Sequence, residues 1–282
     1  MIIGLGEALA YGQQHGIAIA AVNTPFFEAL VATIRAAEAS GVPVILQHAQ
    51  VHEGEMAIED IGPAMVALAR RSDSPFVLHV DHGEDLDYIE RGFAVGFNSA
   101  MIDGSRRPYE ENVAVTAEVV ARARELGFGV EGELGVMTGN ENGDPSQGVA
   151  DANLYTDPEQ ARDFVARTGV TALAASFGTV HGVYHREPHI NYPLIDELRA
   201  ASGVPLVMHG GSGLSADEYR QSIAHGVRKI NYYTYAAKAA LDAARAEAAN
   251  PEVILFSKVA AAATAGAQRD VTAFIRTLAG QA

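Results

Sequence analysis

Val77-Leu-His-Val-Asp-His-Gly-Glu-Asp-Leu-Asp87 decides how this chain is read. Phe76 to Val80 is an apolar run too short for a helix, and it reads as a buried strand. It stops at a polar cluster, Asp81-His82-Gly83, and a helical pattern begins at Glu84. A strand that delivers an acid and a histidine at its carboxyl end, ahead of a glycine and a helix, is how a parallel α/β protein presents chemistry. Alone, the cluster reads equally well as a helix cap beside a chance histidine. Recurrence favours the first reading: Glu133, His181, His209 and Asn231 each come after an apolar run in the same way.

The same rhythm runs outward in both directions. Upstream, Ile2 to Gln14 reads as a short helix, Ile17 to Val22 as strand 1 and Val42 to Gln47 as strand 2. Thr24 suits a helix cap with Pro25 at a first helical position, and Gly41 stops the Ala-rich helix between these two strands. The next helix spans Met56 to Arg71. Downstream, strands fall at Ser99 to Ile102, Gly129 to Glu133, Thr171 to Ser176, Pro205 to Met208 and Val227 to Ile230, with helices between them. Tyr235 to Ala249 and Val253 to Leu278 are terminal helices. Eight strands alternating with helices predict a closed (β/α)8 TIM barrel, with residues 1–282 forming one domain. An open doubly wound sheet would need a glycine-rich phosphate loop after strand 1, and Asn23-Thr-Pro-Phe is not one. Residues 134–156 break the rhythm with Gly, Asn, Asp and Ser. A connection that long is more often functional than not, and a flexible active-site loop is expected there.

Composition narrows the function classes. The chain has 282 residues and a formal charge of −15, and no run of Lys and Arg forms a basic patch, so nucleic acid is an unsuitable partner. It has no cysteine, which excludes disulfides, thiolate ligands and a cysteine nucleophile. No signal-peptide pattern and no membrane-length apolar run is present, so a soluble cytoplasmic protein is expected.

In a barrel all strand ends open on one mouth. Asp81, His82, Asp103, Glu133, His181, His209 and Asn231 therefore converge, and three histidines with carboxylates suit a metal such as zinc. His15, His48, His52, His79, His185, His189 and His225 lack that placement. His209-Gly-Gly-Ser-Gly213 comes directly after strand 7 and opens a helix, and His181-Gly182 comes after strand 6. Glycines there let backbone N–H groups approach a phosphate at a helix N-terminus. Asn231 to Thr234 adds donors after strand 8, and the two glycine segments on their own read equally as tight turns.

The chain resembles the class II, metal-dependent fructose-bisphosphate and tagatose-bisphosphate aldolases. The matching pieces are Asn23, Pro43-Val-Ile-Leu-Gln47, His79-Val-Asp-His-Gly83, Met101-Ile-Asp-Gly-Ser105, Glu131-Gly-Glu-Leu-Gly135, Tyr155-Thr-Asp-Pro158, Ser176-Phe-Gly-Thr-Val-His-Gly-Val-Tyr184, His209-Gly-Gly-Ser-Gly213 and Lys229-Ile-Asn231. The resemblance implies reversible aldol cleavage of a ketose 1-phosphate or 1,6-bisphosphate, giving dihydroxyacetone phosphate and an aldehyde through a zinc-stabilised enediolate. It implies zinc on His82, His181 and His209, with Glu133 and Asp103 at a second position, and Asp81 as acid/base on the aldehyde oxygen. It implies that Glu141 removes the substrate's proton. Asn23, Gln47, Gly182, Gly210, Gly211, Ser212, Asn231 and Thr234 would bind the sugar phosphate. A monovalent cation, Na+ or K+, would lie near the carbonyls of Val180, Gly182 and Gly210. A homodimer or homotetramer acting in carbohydrate metabolism, such as glycolysis, is also implied.

Three departures from the family pattern matter: one bears on the proton-removing base and two on the aldehyde half. Glu141 sits in Thr138-Gly-Asn-Glu-Asn142, where the family usually has two glycines before an acidic pair. Ala49 stands where many members have a serine, and Glu252 lies near where they commonly have an arginine. Rival readings are a Schiff-base aldolase on Lys229, which shares strand parity with Asn231, a metal-dependent barrel hydrolase or epimerase, and a non-catalytic sugar-phosphate-binding homologue.

Overall fold

Short apolar runs buried on both faces satisfy their backbone groups only by laddering with neighbours, so they settle as parallel strands. The structure, a computed structural model, describes residues 1–135, 154–182 and 188–281. Its strands are β1 (Ile19–Asn23), β2 (Val44–Ala49), β3 (Phe76–Gly83), β4 (Ser99–Ile102), β5 (Gly129–Leu134), β6 (Ala172–Ala175), β7 (Leu206–Met208) and β8 (Val227–Tyr232). They close in chain order, each parallel to the next, with β8 returning to β1. Helices α1 (Leu5–His15), α2 (Phe27–Ser40), α3 (Ile58–Arg71), α4 (Leu86–Val95), α5 (Tyr109–Leu126), α6 (Pro158–Thr168), α7 (Tyr192–Ser202) and α8 (Ala216–His225) alternate with them. The terminal pair α9 (Thr234–Ala248) and α10 (Phe256–Leu278) pack on each other and on α2. The expected (β/α)8 barrel is the fold. None of the described helices is long and apolar enough to cross a membrane.

Two local expectations are corrected. Thr24 does not cap α2: its N–H still donates to Gln47 O at 3.0 Å, as part of the β1–β2 ladder. The helix starts later, at Phe27, without a side-chain cap. Likewise α4 begins at Leu86 rather than Glu84, because β3 runs on to Gly83 and the Asp85 side chain accepts from Tyr88 N. A single 3-10 turn, Gln50–His52, joins β2 to α3, and no sequence pattern announces it.

The barrel interior is more polar than aliphatic packing would make it. His79, Ser99, Glu131 and Lys229 are fully buried. Lys229 Nζ lies 2.8 Å from Glu131 Oε2, and His79 Nδ1 lies 2.9 Å from Ser99 Oγ. A buried charge is tolerable when paired, and loss of one partner strands the other. Burial, aided by the nearby Lys229 charge, lowers His79 to about 3. Burial, aided by His48, lowers His52 to about 4. An unfolded histidine titrates near 6.5, so the unfolded chain binds more protons between those values. The contribution of these two rings to stability therefore falls as pH drops below about 6.5, each losing on the order of 1–2 kcal/mol by pH 5. Urea midpoints at pH 7 and pH 5 measure this, and a midpoint that does not move contradicts it.

Candidate active site

Successive residues of a regular strand point to opposite faces, so Asp81 and His82 cannot both reach the mouth from one. The chain breaks its own alternation. The β3–β4 register shifts between Val80 and Gly83, and His82 adopts a left-handed backbone with φ 44°. That conformation costs a non-glycine residue on the order of 1 kcal/mol or more. Gly83 completes the bulge: a Cβ there would meet Ile89 Cγ1 at 2.9 Å and Met101 O at 3.0 Å. Asp81 is then held at both oxygens. Asn23 Nδ2 donates to Oδ2 at 2.8 Å, and Asn231 Nδ2 donates to Oδ1 at 3.1 Å. Burial opposes its ionisation, but His82, Lys229 and His209 outweigh that and keep its pKa below the usual carboxylate range.

His82, His181 and His209 each place a ring nitrogen within 4.8 Å of the others. Their rings stand nearly perpendicular, at 74°, 81° and 73°, around one point. His82 Nδ1 lies 3.1 Å from Asp103 Oδ2, and His209 Nε2 lies 2.8 Å from Glu131 Oε1. Each carboxylate draws the ring's N–H to itself and leaves the other nitrogen bare. The bare nitrogens, His82 Nε2 and His209 Nδ1, face each other at 2.8 Å. Two lone pairs at that distance repel unless a positive charge sits between or beside them. His181 Nε2 is buried with no hydrogen-bond partner among the described residues. Burial would deny His82 a proton, yet Asp81, Asp103 and Glu133 together pull its affinity well above normal. The position is built for a cation. Asp103 and Glu133 form a second group with His82, also within 4.8 Å. Burial, then repulsion from Asp103, raises Glu133 well above the usual carboxylate range, so a cation there would also relieve Glu133.

The glycine segments lie beside this cluster. Gly210 has φ 63°, and a Cβ on it would stand 2.3 Å from Val180 O. A Cβ on Gly211 would meet Ile230 Cγ2 at 2.4 Å and Asn231 O at 2.7 Å. Only glycine lets the β7 end close against β6 and β8. Tyr233 N–H donates to Ser212 Oγ at 3.0 Å, and Thr234 opens α9, so the predicted phosphate donors share one corner.

The family model for class-II fructose-bisphosphate aldolase matches residues 4–281. The chain belongs to the class-II fructose-bisphosphate aldolase family. It is 39% identical over 228 residues to YdjI of Escherichia coli K12, 81% of each chain. It is 35% identical over 239 residues to a probable fructose-bisphosphate aldolase of Bacillus subtilis, 83% of this chain and 81% of that one. The crystal structure of the YdjI aldolase superposes with a TM-score of 0.88 at 32% identity, covering 99% of this chain and 97% of the other. That of a putative fructose-1,6-bisphosphate aldolase from Coccidioides immitis gives 0.85 at 27% identity, over 96% and 94%. This chain is thus an enzyme of the class II aldolase type, and the family implies a divalent metal.

Beside this cluster the aldolase buries residues that sequence reasoning passes over. Glu131 links His209 to Lys229, whose parity with Asn231 does turn it into the barrel. Its ammonium is bound to Glu131, which leaves the Schiff-base reading without a free amine. Burial would raise Glu131, but Lys229 and His209 prevail and lower it to about 2. Glu131→Gln is expected to weaken metal affinity about 10- to 100-fold, as loss of a ligand's outer partner does. Competition with a fluorescent chelator reads this, and unchanged affinity would remove Glu131 from that role. Glu131 shares strand parity with Glu133, which is the available signal. His52 is fully buried with its ring 4.5 Å from that of Tyr233, and it is electrostatically coupled to Asp81 and His82. Glu141 lies outside the described residues. Glu252 is exposed on the α9–α10 connection, and Ala49 is buried and paired with Asp81.

Proposed function

We propose that this aldolase cleaves and forms ketose 1-phosphates or 1,6-bisphosphates, releasing dihydroxyacetone phosphate and an aldehyde. The observation that carries the reading is the convergence of His82, His181 and His209 beside the doubly held Asp81. Three imidazoles with adjacent carboxylates suit zinc. When bound, the metal supplies Lewis-acid stabilisation of charge developing on the substrate's carbonyl oxygen. Asp81, ionised and fixed by two amides, accepts the proton of the aldehyde-side hydroxyl in cleavage and returns it in condensation. Glu141 is assigned the proton at the hydroxymethyl carbon. Gly182, Gly210, Gly211, Ser212 and Thr234 are assigned the phosphate, with Asn23, Gln47 and Asn231 on hydroxyls. A Na+ or K+ ion is assigned to the carbonyls of Val180, Gly182 and Gly210. A cytoplasmic homodimer or homotetramer acting in carbohydrate metabolism completes the reading.

Proton exchange tests the reading without knowledge of the aldehyde. Dihydroxyacetone phosphate is incubated with enzyme in deuterated water and its hydroxymethyl signal monitored by NMR. Exchange that a chelator abolishes and zinc restores is the expected result. Folded, metal-loaded protein that exchanges nothing would overturn it.

A further inference from the structure

The segment from Gly210 to Gly213 is clamped from several sides. From α8, the Tyr219 hydroxyl donates to Gly211 O at 2.5 Å. From α9, the Tyr235 ring covers Gly213, where a Cβ would meet Tyr235 Cε2 at 2.6 Å. Between them, the buried Ser212 Oγ accepts from Tyr233 N–H at 3.0 Å. A hydroxyl oxygen that accepts there must aim its own proton elsewhere, and no described residue takes that proton. Tyr233 therefore governs where the Ser212 hydroxyl can donate.

Tyr233 itself is held at two ends. It precedes α9 with φ −151° and ψ −62°, outside both the helical and the extended regions, and α9 has no side-chain cap. The helix secures its carbonyl, which accepts from Ala237 N–H at 3.0 Å. Its ring is secured from elsewhere: the His52 ring lies 4.5 Å away, centroid to centroid, with the planes tilted by 58°. β1 pairs with β2 on one side and with β8 on the other. The 3-10 turn Gln50–His52 follows β2, and Tyr233 follows β8, so this contact spans the end of β1. The turn is anchored from outside. Glu84 N–H donates to Gln50 Oε1 at 2.7 Å, His48 Nε2 donates to Met56 O at 2.8 Å, and Arg91 donates to Glu53 at 2.5 Å. His52 is fully buried, and that burial lowers its pKa to about 4, so at pH 7 it offers Tyr233 an uncharged ring.

We propose that His52 is a positioning residue for the phosphate corner: its ring braces Tyr233, whose backbone N–H orients the Ser212 hydroxyl toward the substrate's phosphate. This rests on the aldol reaction and the phosphate assignment proposed above. In this role His52 acts through Tyr233 and needs no contact with substrate. Without the brace, Tyr233 relaxes into the space the imidazole leaves, and Ser212 loses its fixed partner. Hydrogen bonds to a charged phosphate are among the stronger ones, so the loss falls on substrate binding.

The test measures proton exchange on dihydroxyacetone phosphate by zinc-loaded enzyme. His52→Ala is expected to raise KM about tenfold, the value of one charge-assisted hydrogen bond, with kcat changed less than about threefold. His52→Phe keeps a ring against Tyr233 without the ring nitrogens and is expected to bring KM back to within about threefold of wild type. In a Ser212→Ala background, His52→Ala is expected to add less than about twofold, because both changes remove the same bond. If alanine at position 52 fails to fold, Tyr233→Ala removes the contact from the other side and is expected to give the same KM rise and the same non-additivity. An unchanged KM in His52→Ala, a phenylalanine variant as impaired as the alanine one, or losses that add fully to those of Ser212→Ala would overturn the inference. Wild-type exchange and the KM rise of Ser212→Ala alone are measured alongside. They establish the aldolase reading and the phosphate assignment, so a null result at His52 counts against the brace alone.

Discussion

Replacing His209 by alanine is expected to lower kcat by about ten-thousandfold or more, the several kcal/mol that a Lewis-acid metal contributes. Its Nδ1 faces His82 Nε2 at 2.8 Å, and its Nε2 is held by Glu131 at 2.8 Å. Alanine removes one of three converging nitrogens and also leaves Glu131 paired mainly with Lys229. Metal content and turnover should fall together, with circular dichroism reporting that the barrel persists. The residue is buried, so the variant also loses packing, and His209→Gln separates the two effects by filling the space. Near-normal turnover with a full metal complement in either variant would show that His209 is not a ligand.

The second large effect is expected at Asp81→Asn. An amide cannot accept the hydroxyl proton, and general acid–base groups contribute about 100- to 10,000-fold. Geometry adds to the loss. Asn23 and Asn231 both donate to Asp81, so an amide NH2 at this position must face one of them donor to donor. Retro-aldol cleavage should therefore collapse. Proton exchange on dihydroxyacetone phosphate should fall far less, because a different group moves the proton at carbon. Parallel loss of both reactions would place Asp81 in the enolisation step instead.

Much of this is legible in the sequence because strand ends in a barrel obey a simple rule. His82, His181, His209 and Glu133 emerge from looking at the residues that terminate each short apolar run. Lys229 turns inward by its parity with Asn231. The rule fails where the backbone departs from alternation. Nothing in Asp81-His82-Gly83 announces a bulge with φ 44° at His82, although the need for both side chains at one mouth demands it. His52 escapes the rule because a three-residue 3-10 turn has no periodicity to place it. Thr24 has the composition of a cap, but its N–H is already engaged by β2. Glu131 stands out only as part of a motif, since its role depends on a partner 78 residues away.

The kink at His82 has a consequence for how such a catalyst can diversify. It puts the proton-transfer carboxylate and a cation-facing imidazole on neighbouring residues of one rigid strand. Their separation is set by covalent geometry and does not depend on the conformation of any connecting segment. The β2–α3 turn is anchored independently, on the outside of the barrel. Substitutions there leave the bond-making distances constant. The proton-transfer group and the cation-facing ring are thus inherited as one part, indifferent to exchanges in the neighbouring turn.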